Sequence, residues 1–186
     1  INSMRFAPVA DVLKNQYAYM EGWILEIDNA ELRCHRADGK CRAEYETRFI
    51  QTIQQKNRLE GEIVSSIREE YFNRLNHKQR PIWLFFDRID KADDNGEAMF
   101  RYVNSLENCE IDTYFIIGKD SPDYLRMKKY GQVVEAMSFE HRVLFLLADF
   151  ILTSQLNGYV ENPYEEFEED FRDLYHRAKL VFLQHG

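Results

Sequence analysis

The feature that most constrains this chain is Ile82-Trp83-Leu84-Phe85-Phe86, an apolar run without a polar break. A strand with one wet face alternates polar and apolar residues, so an unbroken run marks a strand covered on both faces. Further short strand-like runs follow at Thr113–Ile117, Gln132–Glu135, Phe150–Thr153 and Lys179–Leu183. Helical segments lie between them. Asn95 to Leu106 places Ala98, Tyr102 and Leu106 on one face, flanked by Met99 and Val103. Ser121 as N-cap with Pro122 at the first helical position opens another helix, which Gly131 ends. Ser138 caps a helix through Leu147, and Pro163 to Ala178 reads as an acidic helix with Phe167, Phe171, Leu174 and Tyr175 inward. Parallel strands need such crossovers, and the crossovers are right-handed. The pattern predicts an α/β domain with a doubly wound parallel sheet.

Upstream of Pro81 the pattern differs. Residues 4–20 have near-helical spacing of Phe6, Val9, Leu13 and Tyr17. Trp23–Ile27, Leu32–His35 and Cys41–Tyr45 read as a small β-meander, with Asp38-Gly39 as its second turn. A long polar helix follows, marked by Leu59, Ile63, Ile67 and Tyr71, with Gly61 as a candidate break. Asn76–Pro81 reads as a linker, giving an extension over 1–80 and a sheet domain over 81–186. Ile1-Asn2-Ser3 ahead of Met4, and an apolar strand running straight into His185-Gly186, make both ends read as cut.

Charge and cysteines narrow the function. A formal net charge of −8 argues against binding a nucleic-acid backbone, which needs clustered Lys and Arg. Cys34, Cys41 and Cys109 have no metal-ligand spacing and read as reduced thiols; no HExxH pattern occurs, so no metal site is expected. No signal peptide and no membrane-length apolar stretch is visible in these residues.

In an open α/β sheet, ligands bind beyond the carboxyl ends of the strands. That rule selects Asp87 and Arg88, Gly118 and Lys119, Ser154 and Gln155, and Gln184, His185 and Gly186. The densest polar stretch is Asp87-Arg88-Ile89-Asp90-Lys91-Ala92-Asp93-Asp94-Asn95-Gly96-Glu97. One of Asp93, Asp94 and Asn95 is expected to cap the next helix; the others are candidates for acceptor hydroxyls. No GxGxxG word follows the first strand, so no dinucleotide fingerprint is offered. His185 has the near-neutral pKa suited to taking a proton from a hydroxyl, or it serves only to hydrogen-bond a neighbouring loop.

The ordered words Trp83-Leu84-Phe85-Phe86-Asp87-Arg88, Ala92-Asp93-Asp94-Asn95-Gly96-Glu97 and Phe100-Arg101-Tyr102 resemble a motif of the CDP-glycerol glycerophosphotransferases, the teichoic-acid and capsule polymerases. The likeness continues through Lys119-Asp120-Ser121-Pro122-Asp123-Tyr124, Lys128-Lys129-Tyr130-Gly131, Leu146-Leu147-Ala148-Asp149, Thr153-Ser154 and Asn162-Pro163 to Gln184-His185-Gly186. Residues 1–80 carry no comparable motif. The resemblance implies the Rossmann-like N-terminal, acceptor-side half of a GT-B fold, ending before the donor-binding domain. It implies transfer of glycerol phosphate or ribitol phosphate from a CDP-alditol donor to a lipid-linked polyol-phosphate acceptor, without a further cofactor. It casts His185 as catalytic base, with Asp87, Arg88, Asp93, Asp94, Asn95, Lys119 and Ser154 near substrate. It also implies a cytoplasmic protein peripheral to the inner face of the membrane, inactive as this piece alone. Two alternatives stand beside it: a GT-B enzyme with another nucleotide-sugar donor, and a non-catalytic interaction module built on the Leu59-Ile63-Ile67-Tyr71 stripe.

Overall fold

The computed structural model describes residues 4–5, 17–20, 22–28, 31–156, 158–174 and 178–184. The chain divides into two compact units, one of Ile1–Ser66 with Glu166–His176, the other of Ile67–Glu165 with Arg177–Gly186.

The first unit holds a four-stranded antiparallel sheet of β1 (Met4–Arg5), β2 (Tyr17–Met20), β3 (Trp23–Asp28) and β4 (Glu31–Arg36), in the order β1-β4-β3-β2. The helix expected over 4–20 is therefore not formed at its described positions. Tyr17–Met20 instead pairs with Trp23–Glu26 around Gly22, whose φ of 90° suits a tight turn that other residues resist. The strand expected at Cys41–Tyr45 is also overturned, because α1 runs Gly39–Lys56. Asp38 is its N-cap, the side chain accepting from the Cys41 amide at 2.7 Å. Tyr45, Phe49 and Ile53 then recur at helical spacing and are buried.

The second helix, α2, spans Arg58–His77. The break lies at Asn57, whose side chain accepts from the Glu60 amide, and not at Gly61. Gly61 instead permits close packing on α1: a Cβ there would lie 2.4 Å from Gln54 Cγ and 2.9 Å from its backbone. The expected stripe is only half buried. Leu59 and Ile63 are exposed, while Val64, Ile67, Tyr71 and Phe72 are buried.

The second unit carries five parallel strands, β5 (Ile82–Phe86), β6 (Asp112–Ile117), β7 (Gln132–Glu135), β8 (Phe150–Thr153) and β9 (Lys179–Phe182), in the order β7-β6-β5-β8-β9. This is the Rossmann-like doubly wound order, and its switch point lies between β5 and β8. Adjacent residues of β5 face opposite layers. Phe85 meets Phe100 of α3 (Asn95–Ser105) with ring centroids 5.5 Å apart, and Phe86 meets His141 of α5 (Phe139–Leu147) at 5.6 Å. The α3-side core gathers Phe85, Phe100, Val103, Phe115, Ile117, Met127 and Leu152. Each such side chain contributes roughly 1.5–3 kcal/mol by leaving water. The face of α3 differs from expectation, since Tyr102 and Leu106 are exposed and Glu97, Phe100 and Val103 are buried.

On the α5 side, Arg74 near the end of α2 grips Glu140 with two bonds of 2.6 and 2.8 Å. Lys78 binds the Leu147 carbonyl at 2.7 Å and Asp149 at 2.6 Å, and Asp149 also accepts the Ile82 amide. Ser138 caps α5 as expected. The short α4 covers Tyr124–Met127 with Asp123, not Ser121, at its N-cap; the Ser121 hydroxyl accepts the Asp123 amide one turn earlier. A further short helix, α6, spans Gly158–Glu161, and Glu165–Leu174, within the acidic helical stretch read over Pro163–Ala178, forms a 3₁₀ helix. Phe171 and Leu174 are buried there; Tyr175 lies outside the described residues.

Candidate functional site

The strand order puts the ends of β5 and β8 side by side, with Phe86 opposite Thr153. The next residues are Asp87 and Ser154, both fully buried. Ser154 Oγ donates to Asp87 Oδ1 at 2.7 Å. Asp87 Oδ1 also accepts the Gly96 amide at 2.9 Å, and Oδ2 accepts those of Glu97 at 3.0 Å and Asp94 at 3.2 Å. The Tyr159 hydroxyl donates to the Asp87 carbonyl. Burial pushes the Asp87 carboxyl above its ordinary pKa, while the Ser154 hydroxyl and the three amides stabilise the ionised form and pull it back.

The close fit depends on Gly96. A Cβ at that position would lie 2.3 Å from the Phe86 carbonyl oxygen and 2.4 Å from Asp87 Oδ1. Asp94 is the N-cap of α3, and its own side chain takes the Asn95 amide at 2.8 Å. Asn95 Nδ2 donates to the Gln184 carbonyl, which ties the start of α3 to the segment just after β9.

Elsewhere in the loop Arg88, Ile89, Asp90, Lys91 and Asp93 are exposed, while Ala92 is buried. Arg88 binds Asp93 at 2.8 Å, and Lys91 also pairs with Asp93. These two cations hold the Asp93 carboxyl below the usual carboxylate range, Lys91 contributing most. Lys119, exposed at the end of β6, lies 3.7 Å from Glu135. The predicted residues thus separate. Asp87, Ser154 and Asp94 are turned inward and bonded to the fold, Asn95 bridges to Gln184, and Arg88, Asp93 and Lys119 form a charged rim. His185 lies outside the described residues.

Several residues that shape this edge are missed by the sequence reading. Arg126 binds the nearly buried Glu97 at 2.6 and 2.7 Å, Asp123 at 2.8 Å and the Ala92 carbonyl. Asp123 in turn accepts the Ala92 amide at 3.0 Å. These contacts brace the loop from beneath. No sequence signal pairs Arg126 with Glu97, because the partners lie on different helices. His141 is also fully buried; its Nδ1 accepts the Met137 amide at 3.0 Å, and its Nε2 has no hydrogen-bond partner among the described residues. Met137 has a φ of 65°, a conformation that a side chain disfavours.

Among the described residues, no group of three or more His, Cys, Asp or Glu side chains is arranged to hold a metal ion, and no helix is long and apolar enough to cross a membrane.

Strand order and edge chemistry define the larger unit as a Rossmann-like domain whose switch point is buttressed by a buried carboxylate and rimmed by mixed charge. No protein-family profile and no solved structure matches the chain. The chain is 34% identical over 188 residues to the minor teichoic acid biosynthesis protein GgaB of Bacillus subtilis (strain 168), a match covering 98% of this chain and 21% of that protein. The chain thus spans about a fifth of the length of a protein named for teichoic acid biosynthesis, the same setting as that of the glycerophosphotransferases its ordered motifs resemble.

Proposed function

We propose that the protein to which this chain belongs transfers an alditol phosphate, from CDP-glycerol or CDP-ribitol, to the terminal hydroxyl of a lipid-linked acceptor chain. The observation that carries the reading is the likeness to a teichoic acid biosynthesis protein along 98% of the chain, including residues 1–80. The motif residues support it by their position, since the Asp87–Glu97 loop lies at the carboxyl edge of the sheet.

In this reading the acceptor hydroxyl attacks the phosphorus that carries the alditol. The pyrophosphate P–O bond breaks, CMP leaves, and the hydroxyl proton passes to His185. Such a transfer asks chiefly for positioning and charge stabilisation, plus one group that orients the nucleophile. Arg88, Lys91 and Lys119 are the rim cations within the described edge that supply positive charge. The donor is held by a second domain, so the present chain does not turn over donor alone. The acceptor's lipid places the work at the inner face of the membrane, with the protein peripheral to it.

The test uses the full-length protein with each CDP-alditol and a lipid-linked acceptor, reading CMP release. Release with one donor is the expected result; none with either donor, from folded protein, sinks the reading. His185→Ala in the same protein is expected to lower kcat by at least 100-fold, within the range of general-base contributions (about 10²–10⁴-fold).

A further inference from the structure

Helix N-termini carry unpaired amides and a positive dipole end, which makes them ready anion sites. In doubly wound sheets the helix that follows the first strand commonly offers that end to a ligand phosphate. Here α3 is that helix, eleven residues long, directly after β5. Its initial amides are all engaged by the chain's own carboxylates. Those of Asp94, Gly96 and Glu97 converge on Asp87, and that of Asn95 goes to the Asp94 side chain. Ser154 adds a hydroxyl donor from the neighbouring strand. The Asp87 carboxylate, with no exposed surface, therefore sits among three amides and a hydroxyl as a bound phosphate oxygen would.

We infer that Asp87 is a resident anion: its carboxylate fills the phosphate position at the switch-point helix and closes that position to phosphate-bearing ligands. Gly96 is part of the device, because only a residue without Cβ lets the amides come this close to Phe86 and Asp87. A tethered carboxylate meets these donors at a far higher effective concentration than a dissolved anion does. Its own charge also repels a second anion in a site from which water is excluded. The edge is then left to contact ligands through the rim of Arg88, Lys91, Asp93 and Lys119 and through uncharged groups. If the reaction proposed above holds, the donor's pyrophosphate is bound elsewhere in the protein; the closure itself does not depend on that reaction.

The experiment is an NMR titration of the ¹⁵N-labelled 186-residue chain with inorganic pyrophosphate, following the Gly96 and Glu97 amides. The native chain is expected to show no saturable shift at either amide; a saturable shift at both overturns the inference. Asp87→Gly is expected to open the position. The variant gains a saturable pyrophosphate response at these amides, and formate raises its Tm where neutral formamide does not. A folded Asp87→Gly variant that responds to neither pyrophosphate nor formate reduces Asp87 to an ordinary cap and overturns the inference. Should that variant not fold, the native titration decides. CMP release by the full-length protein does not enter this test, so failure here and failure of the proposed reaction are separately visible.

Discussion

Ser154 Oγ donates to Asp87 Oδ1 at 2.7 Å across a sequence separation of 67 residues, joining the ends of two parallel strands at the switch point. Ser154→Ala removes that donor and leaves a fully buried carboxylate with its backbone amides alone. Hydrogen bonds to charged groups contribute about 1.5–3 kcal/mol, so a loss of that size is expected in urea unfolding. A change below about 0.5 kcal/mol would mean that the hydroxyl is not engaged as described.

Gly96 and Gly39 make a matched pair of glycine tests. At Gly96 a Cβ meets backbone and a carboxylate oxygen inside 2.5 Å, neither of which yields cheaply. Gly96→Ala is expected to destabilise by about 1–3 kcal/mol, as overpacked sites do. At Gly39, the first residue of α1, a Cβ meets nothing within 4 Å. Gly39→Ala is expected to stabilise by about 0.4–1 kcal/mol through the unfolded chain's lost freedom. Thermal melts showing the same sign for both variants would contradict this assignment.

These residues also show what the sequence could and could not disclose. The central strand β5 was legible because a strand covered on both faces has little choice but to be continuously apolar, whereas the edge strands β7 and β9 are less buried and were legible from their short runs between helical segments. Asp38-Gly39 was ambiguous in principle, since Asp-Gly serves a hairpin turn and a helix start equally well. The deciding signal was the Tyr45-Phe49-Ile53 spacing that follows. Asp87 was legible as a residue at the right edge, yet nothing in its neighbours said that it points inward. That depends on Ser154 and on the amides of α3, which only the fold brings near. The Glu97–Arg126 pair was illegible for the same reason.

Arg126 is predicted to brace the rim. Its guanidinium is partly exposed, but Glu97 is nearly buried, so Arg126→Gln leaves a carboxylate with its main partner gone. Solvent at the arginine side limits the cost to about 1–2 kcal/mol. A double-mutant cycle with Glu97→Gln should give a coupling of at least about 0.5 kcal/mol, the scale expected of residues in direct contact. Additive losses would show that the bidentate contact carries no stability.

His141 makes stability depend on pH in the acid range. Burial drives its imidazole pKa down to about 3, with the Arg142 charge adding to the effect, against 6.5 in an unfolded chain. Between those values the unfolded state holds a proton that the folded state refuses, so this group's contribution to stability falls as pH drops from 6.5 toward 3. The limiting slope for one proton is about 1.4 kcal/mol per pH unit. His141→Phe keeps a ring against Phe86 and Phe145 but removes both the titration and the acceptor for the Met137 amide. The variant should be less stable than the native chain at pH 8, by about 1 kcal/mol for the orphaned amide. It should lose less stability between pH 6.5 and pH 5, a window above the ordinary carboxylate range. Urea denaturation at pH 8, 6.5 and 5 should therefore give native and variant curves that converge and then cross before pH 5, since the native chain loses about 2 kcal/mol over that range through this group. Parallel curves would show that His141 accepts its proton in the folded state as readily as in the unfolded one.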